Sequence, residues 1–308
     1  MTLKMTRRER LQATVAGQPV DRIAVALWRH FPGDDQRPDD LAWATLAWQA
    51  QWDWDFIKVS PASSFCLVDW GAEDRWVGGD EGNREYTRRV IQQPEQWATL
   101  PLLDPQSGRL AAQIDCLQRI ASGLMSSAPA DSPPFIQTIF SPLAQARNLA
   151  GAERLVTHMR RAPDLVHAGL EIITRTTLRF IAACKSTGIA GIYYAMQLAN
   201  YHLLSEAEYR AFGEPYDRRI LAAVEDCWFN LLHLHGPAGM FDLAAVYPVH
   251  ALNWHDREAG PSLAEGQARF GGAVEPTGIR DQLPDQGGRD YGQGFWAQQW
   301  LGLKRLVG

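Results

Sequence analysis

The stretch IAGIYYAMQLANYHLLSEAEYRAFGEPYDRRILAAVEDCWFNLLHLHG, residues 189–236, decides the fold. Its opening, "IAGIYYAM" (189–196), is a short apolar run and predicts a strand. "SEAEYRAFGEPYDRRILAAVEDC" (205–227) predicts a helix, because Ser205 with Glu208 three residues on forms a capping box. "NLLHLHG" (230–236) predicts a second strand, stopped by Gly236. Strand, helix, strand is the unit that builds parallel sheets. On the second strand Leu232 and Leu234 face one way, His233 and His235 the other. Two titratable rings at the end of a buried strand are costly unless something uses them.

The same alternation runs outward in both directions. Residues 5–17 predict a helix, "GQPVDR" (17–22) a turn and "IAVALW" (23–28) a strand. "PDDLAWATLAWQAQW" (38–52) predicts a helix with an acidic first turn. Its tryptophans read as part of an amphipathic helix packed on a core, not as an aromatic ligand platform. "DFIKVS" (55–60) predicts a strand, "SGRLAAQIDCLQRIASGL" (107–124) a helix and "PPFIQTIFSP" (133–142) a strand closed by proline. Residues 152–188 hold two helices around Pro163. Beyond Gly236 come a short helix in 239–247, a strand in "HALNWHD" (250–256), a helix in 262–271 and a strand at "GAV" (272–274).

About seven such repeats imply a parallel sheet with helical crossovers. An open doubly wound sheet and a closed (β/α)8 TIM barrel both fit. No GxGxxG follows an early strand, which weakens a dinucleotide-binding reading. No Pro- or Gly-rich linker divides the chain, so residues 1–308 are expected to form a single domain.

Composition narrows the function. The chain is 46% hydrophobic and 21% charged with a net charge of -5, which suits a large core and argues against nucleic-acid binding. No uninterrupted apolar run reaches about 18 residues, so no membrane span is expected. The N-terminus is basic without the apolar run of a signal peptide. Cys66, Cys116, Cys184 and Cys227 show no CxxC spacing, which points to a reducing, cytoplasmic setting.

Active sites of parallel barrels lie at the C-terminal ends of the strands. Here those ends carry Arg29 and His30; Lys58, Ser60, Ser63 and Ser64; Gln137, Thr138 and Ser141; Tyr193, Tyr194 and Gln197; His233 and His235; and His255 with Asp256. His30, His233, His235, His255 and Asp256 are the candidate catalytic groups. Arg29, Lys58, Ser63, Gln137, Tyr194 and Gln197 are the candidate substrate-binding groups, with Arg29 suited to a carboxylate or phosphate. Neutral imidazoles are usual ligands of divalent metals, so His233, His235 and His255 are a candidate site for Zn2+ or another divalent ion. Metal-free acid–base catalysis by the same rings is the rival. His158, His167, His202 and His250 fall in helices or loops and read as packing or surface residues.

The chain resembles the uroporphyrinogen decarboxylase superfamily over roughly residues 6–275. "RRERLQATVAGQPVDRIAVALWRHFP" (7–32) is similar to that family's start, a helix, a G-x-P-V-D-R turn, and a strand ending in arginine. "WDWDFIKVSP" (52–61) resembles its second strand, "SEAEYRAFGEPYDRRIL" (205–221) its F-x-x-P-Y helix, and "LLHLHG" (231–236) its H-x-C-G strand. The resemblance implies a (β/α)8 barrel. The family includes porphyrinogen decarboxylases and zinc-dependent methyltransferases that move methyl groups between corrinoids and thiols.

The departures are specific. The decarboxylases carry two arginines four residues apart at the first strand end; Arg29 matches one and Gly33 stands at the other. Their aspartate after the second strand is replaced here by Ser60, Pro61 and Ala62. The methyltransferases use a histidine, a cysteine two residues on and a late cysteine; His233 matches the first, His235 replaces the second, and no cysteine follows Cys227. A soft thiolate site is therefore not intact. Residues 275–308 show little strand pattern, as a truncation or shifted frame would give, so the last βα unit is expected to be incomplete.

These readings converge on a barrel enzyme, a lyase or methyltransferase. It is expected to act on a small anionic substrate, with methyl or one-carbon transfer favoured over tetrapyrrole decarboxylation. A non-catalytic tetrapyrrole or corrinoid binder is the alternative outside enzymes. The expected partners are the small-molecule substrate and a tetrapyrrole or corrinoid protein, with a homodimer left open.

Overall fold

Thr6 caps the first helix, α1 (Arg7–Val15), in a reciprocal box with Glu9. From α1, Arg10 reaches the P-V-D-R turn, lying 2.7 Å from Asp21 and 2.7 Å from Asp55. Arg22 meets the same Asp55 at 2.6 Å, and Asp55 has no exposed surface. The Val25 N–H donates to the Asp55 carboxylate while the Asp55 N–H donates to the Val25 carbonyl. The turn thus ties the extended 23–30 segment to the chain entering the sheet. In the computed structural model, the described residues are 4–79, 82–127, 129–257, 259–270 and 273–276.

Helix α2 (Pro38–Trp52) buries Leu41, Ala42 and Ala44, and the Trp48 indole donates to the Leu27 carbonyl. The helix packs on the core as expected but is only weakly amphipathic, with Trp43 72% exposed on its open face. Strand β1 (Ile57–Val59) follows. An antiparallel hairpin of β2 (Glu73–Trp76) and β3 (Arg84–Arg88) precedes α3 (Gly108–Ser127). Next come β4 (Phe135–Phe140), α4 (Pro142–Ala150), α5 (Ala152–Arg161), α6 (Pro163–Lys185) and β5 (Gly191–Met196). The remaining elements are α7 (Glu206–Phe212), α8 (Glu214–Ala222), β6 (Leu231–Leu234), α9 (Phe241–Ala244), β7 (Ala251–Trp254), α10 (Leu263–Phe270) and β8 (Ala273–Pro276).

The main sheet has the order β1-β4-β5-β6-β7-β8, all parallel. Leaving aside the β2–β3 hairpin, each strand pairs with the next main-sheet strand along the chain, so the crossovers all step in one direction. Strands β4 to β7 are buried on both faces, as a helix-covered parallel sheet requires. Trp28, before β1, meets Tyr193, on β5, with ring centroids 5.4 Å apart, and Phe56 meets Phe229 at 4.9 Å. Side chains from well-separated staves touch because the sheet curls into a half-barrel.

Three sequence expectations change. Residues 23–28 form no regular strand, only an isolated bridge at Ala24, so six strands rather than eight make the main sheet among the described residues. The helix read over 205–227 is two, α7 and α8, broken at Gly213 ahead of Pro215. Neither the β2–β3 hairpin nor α4 was anticipated. The atypical tail from residue 277 onward lies outside the described residues. No helix among the described residues is long and apolar enough to cross a membrane. All four cysteines are buried free thiols.

Candidate active site

The C-terminal ends of the strands open into a cavity of about 390 Å3. Alternate residues of β4 and β5 reach it, as the two-residue period of a strand dictates. Lys58 comes from β1, Thr138 and Phe140 from β4, Tyr193 and Ala195 from β5, and His233 from β6. His235 and His255 follow β6 and β7 directly, and Trp28 and His30 enter from the extended N-terminal segment. The hairpin adds Asn83, Arg84 and Tyr86, and α4 adds Arg147 and Asn148. Gly82 fits closely over the site: with φ of +66°, a Cβ there would sit 2.8 Å from the His30 Cβ. No carboxylate is among the described residues that line the cavity.

Three imidazoles converge on one side. The ring centroids of His233, His235 and His255 lie 5.4 to 5.5 Å apart, and one nitrogen from each ring falls within 4.8 Å of the others. His233 is buried and its Nδ1 bonds the Asn253 Oδ1, its neighbour across β6 and β7. An amide oxygen only accepts, so Nδ1 carries the proton and Nε2 keeps its lone pair. That Nε2 lies 3.3 Å from His235 Nδ1.

Electrostatics keep His233 and His235 neutral. Burial pushes His233 well below the usual imidazole range, with His235 and His255 adding to the effect. Burial, then His255 and Arg147, push His235 down to about 4. Since the His235 side chain is exposed to the cavity solvent, its shift is the weaker of the two. His30 is pushed down to about 3 by burial and by the Lys58 and Arg29 charges. Neutral rings present lone pairs, which suits either metal ligation or proton acceptance.

The cations of the cavity are poorly matched by acids. Lys58 is buried, its Nζ 3.0 Å from the Ser60 hydroxyl and 4.7 Å from the Tyr193 ring centroid. Burial pushes its ammonium down to about 7. Burial and the neighbouring Arg89 also disfavour the charge of Arg147, so an anion in the cavity would relieve both. Arg84 differs, being held by Asp74.

The structure brings together His30, Lys58, Ser63, Gln197, His233, His235 and His255. It places the other sequence candidates elsewhere. Arg29 lies over the rings of Phe31 and Trp48, at 5.6 and 5.8 Å, outside the cavity. Gln137 and Tyr194 are one residue out of phase with the inward positions of their strands. Gln137 therefore meets Gln113 on α3, and the Tyr194 hydroxyl donates to Asp217 on α8. Asp256 faces Arg257 at 3.7 Å and does not line the cavity. Three of the histidines read as structural or surface residues have structural partners: His158 accepts from Trp97, His167 bonds Tyr216, and His250 accepts from the Asn230 N–H. His202 is exposed.

Sequence reading missed Arg147 and Asn148, though a signal was present. Ser141 caps α4 and Pro142 opens it, so Ser-Pro after a strand marks a helix starting at the mouth of the sheet. It also missed Asn83, Arg84 and Tyr86, whose hairpin has no apolar alternation. Its cross-strand pairs Arg84–Asp74, Arg75–Glu85 and Arg88–Glu73 were the available sign.

Comparison with known proteins supplies the remaining constraint. The family model for uroporphyrinogen decarboxylase (URO-D) matches residues 6–265. No curated protein matches the chain. Among solved structures, a methyltransferase from Methanosarcina mazei superposes with a TM-score of 0.75 at 17% identity, covering 88% of this chain and 82% of that one. At that identity the likeness is one of fold.

Proposed function

This chain belongs to the uroporphyrinogen decarboxylase family, and from that premise we propose that it is a metal-dependent enzyme of methyl or one-carbon transfer acting on a small anionic substrate. The reading takes residues 1–308 as one (β/α)8 barrel domain, of which the six-stranded sheet is the larger part. The observation that carries it is the trio of imidazole nitrogens within 4.8 Å of one another in a cavity lined by no described carboxylate.

The residues fit a divalent ion. Bonds of about 2.0–2.1 Å to a tetrahedral zinc set ligand nitrogens about 3.3 Å apart, and His233 Nε2 and His235 Nδ1 stand at 3.3 Å. Asn253 fixes the His233 ring and its tautomer, the support that ligand histidines usually receive. His233, His235 and His255 would hold the ion. When bound it supplies Lewis-acid polarisation of a substrate atom. The protein's own groups do the rest. Arg147 and Asn148 bind the anionic end, and Trp28 and Tyr193 wall the reacting end from water, with His30 held neutral beside them.

Decarboxylation of uroporphyrinogen is disfavoured, because the position after the second strand where that family's decarboxylases carry an aspartate holds Ser60, Pro61 and Ala62. A tetrapyrrole or corrinoid protein is the proposed methyl carrier, and the cytoplasm the proposed setting, in keeping with four free thiols.

The test measures bound metal and melting temperature on wild type, His235→Ala and His235→Cys. The reading expects about one divalent ion per chain in wild type, loss in the alanine variant with folding intact, and retention in the cysteine variant. Unchanged metal content with a lowered melting temperature in His235→Ala would reject it. A wild type that binds no divalent ion would reject it as well.

A further inference from the structure

Lysine is rare in this chain. Its sequence holds four lysines, Lys4, Lys58, Lys185 and Lys304, against 26 arginines. Of the three within the described residues, Lys4 is exposed and Lys185 is paired with Asp226 at 2.7 Å. Lys58 alone of these is buried, 8% exposed, and it opens into the cavity. Arginine would serve a fixed cation better, since its guanidinium binds carboxylates bidentately and never loses its proton. Lysine differs in one chemical respect: its amine can be freed, and a free amine is a nucleophile.

The surroundings decide between these roles. The Tyr193 and Trp28 ring faces, 4.7 and 5.8 Å from Nζ, favour the ammonium. Against them stand burial and the absence of any carboxylate among the described cavity residues. The Ser60 hydroxyl, 3.0 Å away, can donate to a neutral amine or accept from a charged one, so it orients Nζ without fixing its charge. The balance falls toward the amine, in line with an ammonium pushed down to about 7.

We propose that Lys58 is a covalent nucleophile that condenses with the aldehyde or keto carbonyl of an anionic ligand whose charge rests on Arg147. The Nζ lone pair attacks the carbonyl carbon, and the carbonyl oxygen takes a proton to become a hydroxyl. The carbon–oxygen bond then breaks and water leaves, with both protons of that water drawn from the amine. An imine joins Lys58 to the ligand, and no oxidant, reductant or metal takes part. Ser60 is a positioning residue for Nζ. The proposal rests on the reading of the cavity as an anion site but not on the imidazole trio, so the metal test and this one fail separately.

The probe is glyoxylate, the smallest anionic aldehyde, with cyanoborohydride to trap the imine at neutral pH, followed by peptide mass mapping. The expected result is one carboxymethyl group on Lys58, formed at least ~10-fold faster than on Lys185, whose ammonium is tied up in an ion pair with Asp226. Arg147→Gln should slow labelling of Lys58 and leave Lys185 unchanged. Equal or greater labelling of Lys185, or no effect of Arg147→Gln, would overturn the proposal. Lys58→Arg gives the second check: it keeps the cation and its packing and should remain folded by melting temperature. Once a substrate is in hand, loss of turnover in Lys58→Arg is expected, and full activity would refute a nucleophilic role.

Discussion

Asp55 and Lys58 lie three residues apart on the same stretch of chain, and both are buried. Asp55, at the N-terminal end of the sheet, receives Arg10, Arg22 and the Val25 N–H. Lys58, at the C-terminal end, has a hydroxyl and two ring faces. The contrast extends across both ends. Below, Asp21 is held by Arg10; above, Arg147 lies beside Arg89, and three imidazoles face one another. Burying a charge costs several kcal/mol unless it is paired. One end meets that cost within the protein and becomes a fixed joint. The other leaves basic groups whose best partner is a ligand.

The largest effect should come from breaking the joint. Asp55→Ala leaves Arg10 buried without its inner carboxylate and should lower stability by about 3–5 kcal/mol in urea titration. The same variant, where still folded, should retain bound metal, since the two ends share no group. Loss of metal in a folded Asp55→Ala protein would erase the division between ends.

Two carboxyls sharpen the comparison through pH. Asp217 is buried behind the sheet, taking hydroxyls from Tyr194, Tyr209 and Tyr247, and burial pushes it up from 3.8 to about 6. The folded state then holds this proton more tightly than the unfolded one. Its stabilising share is full below pH 3.8 and is lost as pH rises through about 6. Relative to wild type, Asp217→Asn should gain up to about 3 kcal/mol between those limits as pH rises, at 1.36 kcal/mol per pKa unit. Asp21 behaves oppositely: the Arg10 guanidinium holds it well below the usual carboxylate range, so its contribution stands at neutral pH and fades in acid. Parallel pH slopes for Asp217→Asn and Asp21→Asn would contradict both assignments.

Smaller effects test the upper end. Phosphate, as a plain anion, should raise the melting temperature of wild type, and Arg147→Gln should weaken its binding about tenfold, or about 1.4 kcal/mol. Arg29→Ala should leave phosphate binding unchanged and cost only about 1 kcal/mol, from lost contact with Phe31 and Trp48. A reversal of those two results would restore the sequence reading in which Arg29 holds the anion.

That reading shows where sequence sufficed. The runs "FIQTIF", "GIYYAM", "LLHL" and "ALNW" are each nearly all apolar, because parallel strands are covered on both faces, and each is a strand. The same property hid the phase. A strand apolar on both faces does not declare which residues face inward, so Gln137 and Tyr194 looked as suitable as Thr138 and Tyr193. His233 and His235 were legible because two polar rings at alternate positions mark one face. Arg147 was not, because it stands six residues past Ser141 on a helix, where no strand-end rule points. Residues 23–28 have the apolar run but are held by reciprocal bonds to Asp55 and by the Trp48 indole on the Leu27 carbonyl rather than by a ladder, so burial made them look like a strand.

The hairpin over the cavity pairs with itself, in a sheet of two strands apart from the main sheet of six. Its backbone bonds close internally, so Asn83 and Tyr86 can be exchanged without shifting the register that sets His233 opposite Asn253. Arg84 is the exception, since it pairs with Asp74 on the opposing hairpin strand and with Asp35 outside the hairpin, and these must change with it. Roof and floor are thus separate heritable units. Drift or a directed library can alter what the cavity admits by rewriting one short cassette, while the imidazole floor is inherited unchanged.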